Sequence, residues 1–209
     1  MPNLTAPAFV LPSRAGSAQQ AGVPAGQMGE LPVSELLGKY ATLVKAGKVF
    51  YTSAIITAPV IFSTAAQLGP MLWNRPGSGV DAHILGVGVG SPTTASTVAG
   101  AISYASNTHA TVPTTATALT VMNAYSGGGV SAMGGVFSTA TILVAPTNVP
   151  FPLIAVNTGA ITTGALTQCF VDVGGMFIVA PSSIGYVCGN ATLTAGVFTI
   201  GLIWAELPS

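Results

Sequence analysis

After residue 48 this chain carries four formal charges, Arg75, Asp81, Asp172 and Glu206. An ordinary soluble domain is roughly a quarter Asp, Glu, Lys and Arg. Charged side chains keep a lone domain dispersed. They also supply most acid, base and metal-ligand chemistry. A chain that discards them has to cover its surface with copies of itself or with other subunits. The charge pattern therefore points away from an enzyme and toward a component of an assembly.

Half of the residues are apolar, and the mean hydropathy of +0.68 would suit a membrane protein. The pattern argues against a helical one. A spanning helix needs ~20 consecutive apolar residues. The nearest stretch, Thr52 to Trp73, is interrupted by Pro59, Gly69, Pro70 and several Ser and Thr. An outer-membrane barrel needs a polar lumen, and little here is polar beyond hydroxyls. The first residues, MPNLTAPAFVLPSRAG, lack the basic start and unbroken apolar run of a secretory signal. Lys and Arg total five, too few for the basic stripe that neutralises phosphates. Neither a membrane nor direct contact with nucleic acid is expected.

The chain divides unequally. Residues 1–33 contain Pro2, Pro7, Pro12, Pro24 and Pro32 among Gly, Ala, Ser and Gln. Proline fixes φ and removes a donor, so this stretch is expected to be an extended arm. Its Phe9, Val10 and Leu11 are the residues expected to dock on a partner. Residues 34–48 are expected to form one short helix and a linker. Ser34 can cap the helix. Leu36, Leu37, Tyr40, Leu43 and Val44 recur at helical spacing, and Gly47 can end it. Six of the ten charges lie in residues 1–48.

From 49 to 209 the expectation is all-β, a jelly-roll or β-sandwich domain. Thr, Val, Ile, Ala and aromatics dominate, cut at short intervals by Gly, Pro, Asn and Ser. The last strand is the clearest. Phe198, Ile200, Leu202 and Trp204 share one face, and Thr199, Gly201 and Ile203 share the other. Ile184, Tyr186 and Cys188 alternate likewise. Further strands are expected near 48–56, 59–64, 82–90, 97–104, 117–124, 136–145 and 175–180.

Chemistry is sparse. His83 and His109 are the only histidines; neither belongs to a metal spacing such as HExxH, and both are expected in loops or on the surface. Zinc needs three or four N, S or O ligands. GxSxG is absent, and the paired carboxylates of a glycosidase have few candidates. Gly86-Val87-Gly88-Val89-Gly90-Ser91 lacks the third glycine of a dinucleotide loop and the lysine of a phosphate loop; it reads as a strand that something approaches closely. Cys169 and Cys188 read as two buried thiols, with a disulfide as the alternative. No catalytic residue, cofactor or metal is expected.

The best local signature is Trp73-Asn74-Arg75-Pro76-Gly77-Ser78-Gly79. Pro-Gly-Ser-Gly is a tight turn, so Trp73, Asn74, Pro76, Gly77 and Gly79 are expected to build a structural corner. This block, with GELPVSELLGKYATLVKAGKVF at 29–50 and IGLIWAELP at 200–208, resembles a group of tailed-bacteriophage virion structural proteins. The resemblance covers about 29–90 and 165–209. Arg75 between Asn74 and Pro76 departs from the group's corner. The motifs are structural, so no catalytic residue carries over. By resemblance the chain would be a trimeric jelly-roll decoration or cement protein of the capsid. Its partners would be its own copies and the major capsid protein or other virion subunits, at the capsid surface. The alternative is a tail- or fibre-associated jelly roll that binds a receptor or glycan, for which Tyr104, Tyr125 and Tyr186 are the available aromatics.

Overall fold

The computed structural model describes residues 39–57, 61–90, 96–97, 100–143, 150–156, 160–161, 169–189 and 197–209. The arm with Phe9, Val10 and Leu11, and the Ser34 cap, lie outside the described residues.

A short helix, α1 (Ala41–Lys45), comes first. Gly47 ends it at φ +66°, a conformation that only glycine adopts without strain. Gly47 N–H donates to Val44 O at 2.8 Å and Lys48 N–H to Leu43 O at 3.0 Å. This double closure satisfies carbonyls that the helix leaves open.

Strands follow: β1 (Val49–Thr57), β2 (Ala66–Asn74), β3 (Val80–Gly90), β4 (Ser96–Thr97), β5 (Gly100–Thr108), β6 (Thr114–Ala118) and β7 (Met122–Asn123). Then come β8 (Gly135–Thr141), β9 (Phe151–Val156), β10 (Ala160–Ile161), β11 (Cys169–Val179), β12 (Ser183–Gly189) and β13 (Val197–Pro208). The main strands pair as a nested hairpin: β1 with β13, β2 with β12, β3 with β11, β5 with β9, all antiparallel. Rolling that hairpin places β13 beside β3 and β12 beside β5. This is the pairing of a jelly roll. The expected fold class holds: an all-β, two-sheet sandwich.

The first sheet runs β11-β3-β13-β1-β7, the second β6-β8-β2-β12-β5-β9, and β4 pairs with β10. The stretch from β6 to β8 is an excursion between β5 and β9. It puts β7 on the outer edge of β1 and β8 on the outer edge of β2. One open side of the sandwich is thereby covered on both sheets, which removes edges that would otherwise invite foreign strands.

Inward side chains meet in one core. Phe50, Ile84, Val87, Phe198, Ile200, Leu202 and Trp204 of the first sheet face Leu72, Ile102, Tyr104, Val136 and Val187 of the second. The second sheet is also buried on its other face, where Met71, Trp73, Phe137, Ile142, Ile184, Tyr186 and Cys188 form a further cluster. Hence β12 is buried from Ile184 to Gly189.

Several expected strands moved. Of the strand expected at 59–64, residues 59 and 60 lie outside the described residues, and Ile61–Thr64 turn, with Thr64 N–H bonded to Ile61 O at 3.1 Å. The second strand is β2, which tolerates Gly69 and Pro70 because the pairing with β8 slips between Leu68 and Met71, and a bulge needs no donor from proline. The 117–124 run splits into β6 and β7 on different sheets. Finally β11 continues from Cys169 to Val179, bulged between Asp172 and Phe177 in its pairing with β3.

Candidate assembly surface

The corner predicted around Trp73 is built by its neighbours as much as by its turn. Gly77 and Gly79 take φ +70° and +71°, so a side chain at either would strain the turn. Pro76 is exposed beside Arg75. Asn74 is fully buried; its Nδ2 donates to Val80 O at 2.7 Å and to Val179 O at 2.9 Å. One amide thus ties the end of β2 to the start of β3 and the end of β11. Its Oδ1 has no hydrogen-bond donor among the described residues. Trp73 donates its indole N–H to His109 O at 2.8 Å.

His109 lies in a loop, as expected, but is buried rather than on the surface. Its Nδ1 lies 2.5 Å from Thr111 O, and its Nε2 accepts from Leu143 N–H at 3.1 Å. That pattern fixes the neutral imidazole with the proton on Nδ1. The ring staples the two ends of the 109–143 excursion together. No motif spacing could have signalled this, because the partners are backbone atoms.

Glu206, near the end of β13 at the same end of the sandwich, ties down the middle of that excursion. It is buried and accepts from Ser131 Oγ, from Ala132 N–H at 2.8 Å and from the Trp204 indole N–H at 3.2 Å. A buried carboxylate survives only when its oxygens are bonded in this way. A cleft of about 800 Å³, lined by Phe50, Leu119, Val121, Met133, Val136 and residues of the Tyr125–Ser131 stretch, lies in this part of the excursion. Glu206→Gln places an amide N–H against a donor and is expected to cost about 1–3 kcal/mol. Hydrogen exchange at Ala132 should rise sharply; unchanged protection there would show the loop is held by other contacts.

The charges are therefore fewer at the surface than in the sequence. Of the four beyond residue 48, Glu206 is buried, leaving exposed Arg75, half-buried Asp81 and exposed Asp172. Among the described residues no group of three His, Cys, Asp or Glu could hold a metal ion. Likewise no described helix is long and apolar enough to cross a membrane. In place of charge the surface carries apolar side chains: Ile55, Val130, Leu143, Phe151, Phe170, Met176 and Ile178 are all exposed.

The two cysteines are corrected in part. Both are free; Cys188 is buried as expected, but Cys169 is exposed at the start of β11. Burial pushes the Cys188 thiol up to about 12. Tyr104 and Tyr186 are core residues. Burial holds both phenols well above their usual range, and at Tyr186 the Cys188 thiolate adds to it. Of the three tyrosines available for stacking on a glycan, only Tyr125 is exposed.

No family model, curated protein or solved structure matches this chain. The surface has to be interpreted on its own chemistry.

Proposed function

We propose that this chain is a non-enzymatic structural protein of a tailed-bacteriophage virion, a capsid decoration or cement protein that trimerises and stabilises neighbouring capsid subunits. One observation carries the reading: a jelly-roll sandwich that exposes apolar side chains and almost no charge. Such a surface disperses poorly by itself and suits lasting contact with like subunits.

The action would be mechanical. The 1–33 arm, through Phe9, Val10 and Leu11, and the 34–48 segment dock on the major capsid protein, while the β-domain contacts its own copies. Binding energy comes from buried apolar area and backbone hydrogen bonds. At ~25 cal/mol per Å², ~800 Å² per subunit supplies ~20 kcal/mol gross, before ordering costs.

Counting copies in purified particles tests the location. Hundreds of copies support head decoration, and a few to a dozen would move the protein to the tail or a fibre. The soluble oligomer is expected to survive roughly 1 M NaCl, where the Debye length is only ~3 Å, and to dissociate in urea. Sedimentation in both solvents checks this; dissociation by salt alone would show that charge holds the subunits.

A further inference from the structure

We propose that the outer face of the first sheet is the contact between copies of this chain, each copy receiving the β11 edge of the next. This rests on the self-association reading above and names its surface.

Outward positions on a solvated antiparallel sheet are normally polar. Here the strand register lays out two different rows. Across the sheet, Met122, Tyr51, Ile203, Gly86 and Asp172 stand side by side. The next row is Ser53, Gly201, Gly88 and Phe170. Beyond it lies Ile55, which is 72% exposed. The face holds no Lys or Arg in these rows, and its one acid, Asp172, accepts from Gly174 N–H at 2.8 Å. A charged partner finds little here to pair with. An uncharged apolar one does.

The middle of the face is a depression of about 600 Å³ lined by Ser53, Gly88, Gly90, Phe170, Thr199 and Gly201. Two of its glycines, Gly88 and Gly201, are not explained from inside the molecule, whereas a Cβ on Gly90 would crowd Thr199 Cβ at 3.2 Å. A Cβ on Gly88 would come no closer than 3.9 Å to Phe170, and one on Gly201 no closer than 3.4 Å to Thr52 O. Neither has a positive φ. Glycine weakens a strand, and where the fold does not require it, it marks a close approach from outside.

The same chain offers the matching protrusion. Among the described residues β11 pairs only with β3, and none of them forms a strand on its second edge. Along it Met176 and Ile178 are exposed, while Phe170 lies back on the receiving face, its ring over its own chain's Gly86. The strand, CFVDVGGMFIV, has no lysine or proline to discourage pairing. An edge on one copy and a receiving face on another make a head-to-tail contact, which closes into a ring when the rotation between copies closes and otherwise runs on as a filament.

Area sets the occupant's size. Four strands of 9 to 12 residues, at ~3.4 Å per residue and ~4.8 Å apart, span roughly 700 Å². A stable interface takes ~800 Å² from each partner. Even the whole face falls short of that, so the contact has to cover all of it and reach past it, which a second folded copy does and a short peptide does not. A contact this close to the minimum does not tolerate a charged wedge at its centre.

The test is sedimentation of Gly201→Lys and Ser53→Lys beside the wild type at micromolar concentration, with far-UV circular dichroism as the check on folding. Both variants are expected to run as folded monomers, while Leu143→Lys, at a 66% exposed position just after β8 of the second sheet, keeps the wild-type oligomer. Should Gly201→Lys fail to fold, Ser53→Lys decides, since Ser53 already points to solvent. Oligomers of wild-type mass in the folded variants would overturn the face while leaving self-association intact. A monomeric wild type would overturn both.

Discussion

Trp204→Ala is expected to cost about 3–5 kcal/mol from lost packing alone. Trp204 is fully buried and stacks on Phe50, with ring centroids 6.1 Å apart. It sits among Leu202, Ile200 and Phe198 in the core shared by both sheets. Its indole N–H also donates to Glu206 at 3.2 Å, so truncation leaves a buried carboxylate short of one donor, about 1 kcal/mol more. A domain of this size is stable by ~5–15 kcal/mol, and the substitution removes a large share of that. Trp204→Phe keeps a ring against Phe50 and should cost much less. Urea unfolding of both variants checks the order. Equal midpoints for Trp204→Ala and the wild type would show that the inter-sheet core does not carry the fold.

Alkali is expected to unfold the domain well before it damages the chain. Cys188 is held protonated to about 12, against 9.0 when unperturbed. Tyr104, ordinarily 10.0, is held higher still by burial. Below pH 9 these groups are neutral in both folded and unfolded chains and add no pH dependence. Above it the unfolded chain gives up protons that the folded chain keeps, so stability falls as pH rises. Each group contributes about 1.4 kcal/mol per pH unit while only the unfolded state is ionised. Between pH 9 and 11 that is ~3 kcal/mol from Cys188 and ~1.4 from Tyr104, of the same order as the total stability. Tyr186 acts in the same direction. Urea midpoints at pH 8, 10 and 11 measure it, and Cys188→Ala should flatten the slope. A flat profile to pH 11 would mean these side chains reach water in the folded state.

Residues beyond local pattern decide how the candidate surface arises. The alternation Phe198, Ile200, Leu202, Trp204 was readable, and all four are buried. The opposite alternation, Thr199, Gly201, Ile203, was equally readable as a second face. That it lies in register with Gly86 and Gly88 on one side and Tyr51 and Ser53 on the other could not be read, because those partners are more than a hundred residues away in the chain. For the same reason His83 and His109 look alike in sequence, yet only His109 is buried, with both ring nitrogens on backbone atoms.

By itself the sequence determined what depends on neighbouring residues: strands of period two, the glycine that ends α1, the turn after Trp73, and the scarcity of charge. Tertiary structure alone decided which faces meet water. β12 shows this. Ile184, Tyr186 and Cys188 alternate like a half-exposed strand, but the second apolar cluster covers that side as well. Asn74 bonds to Val179, 105 positions away, and Glu206 to Ser131, 75 positions away. Alternation is a property of one strand's pleat. Burial depends on what the rolled hairpin and its 109–143 excursion bring against that strand, and those contacts are formed between segments that carry no local mark of one another.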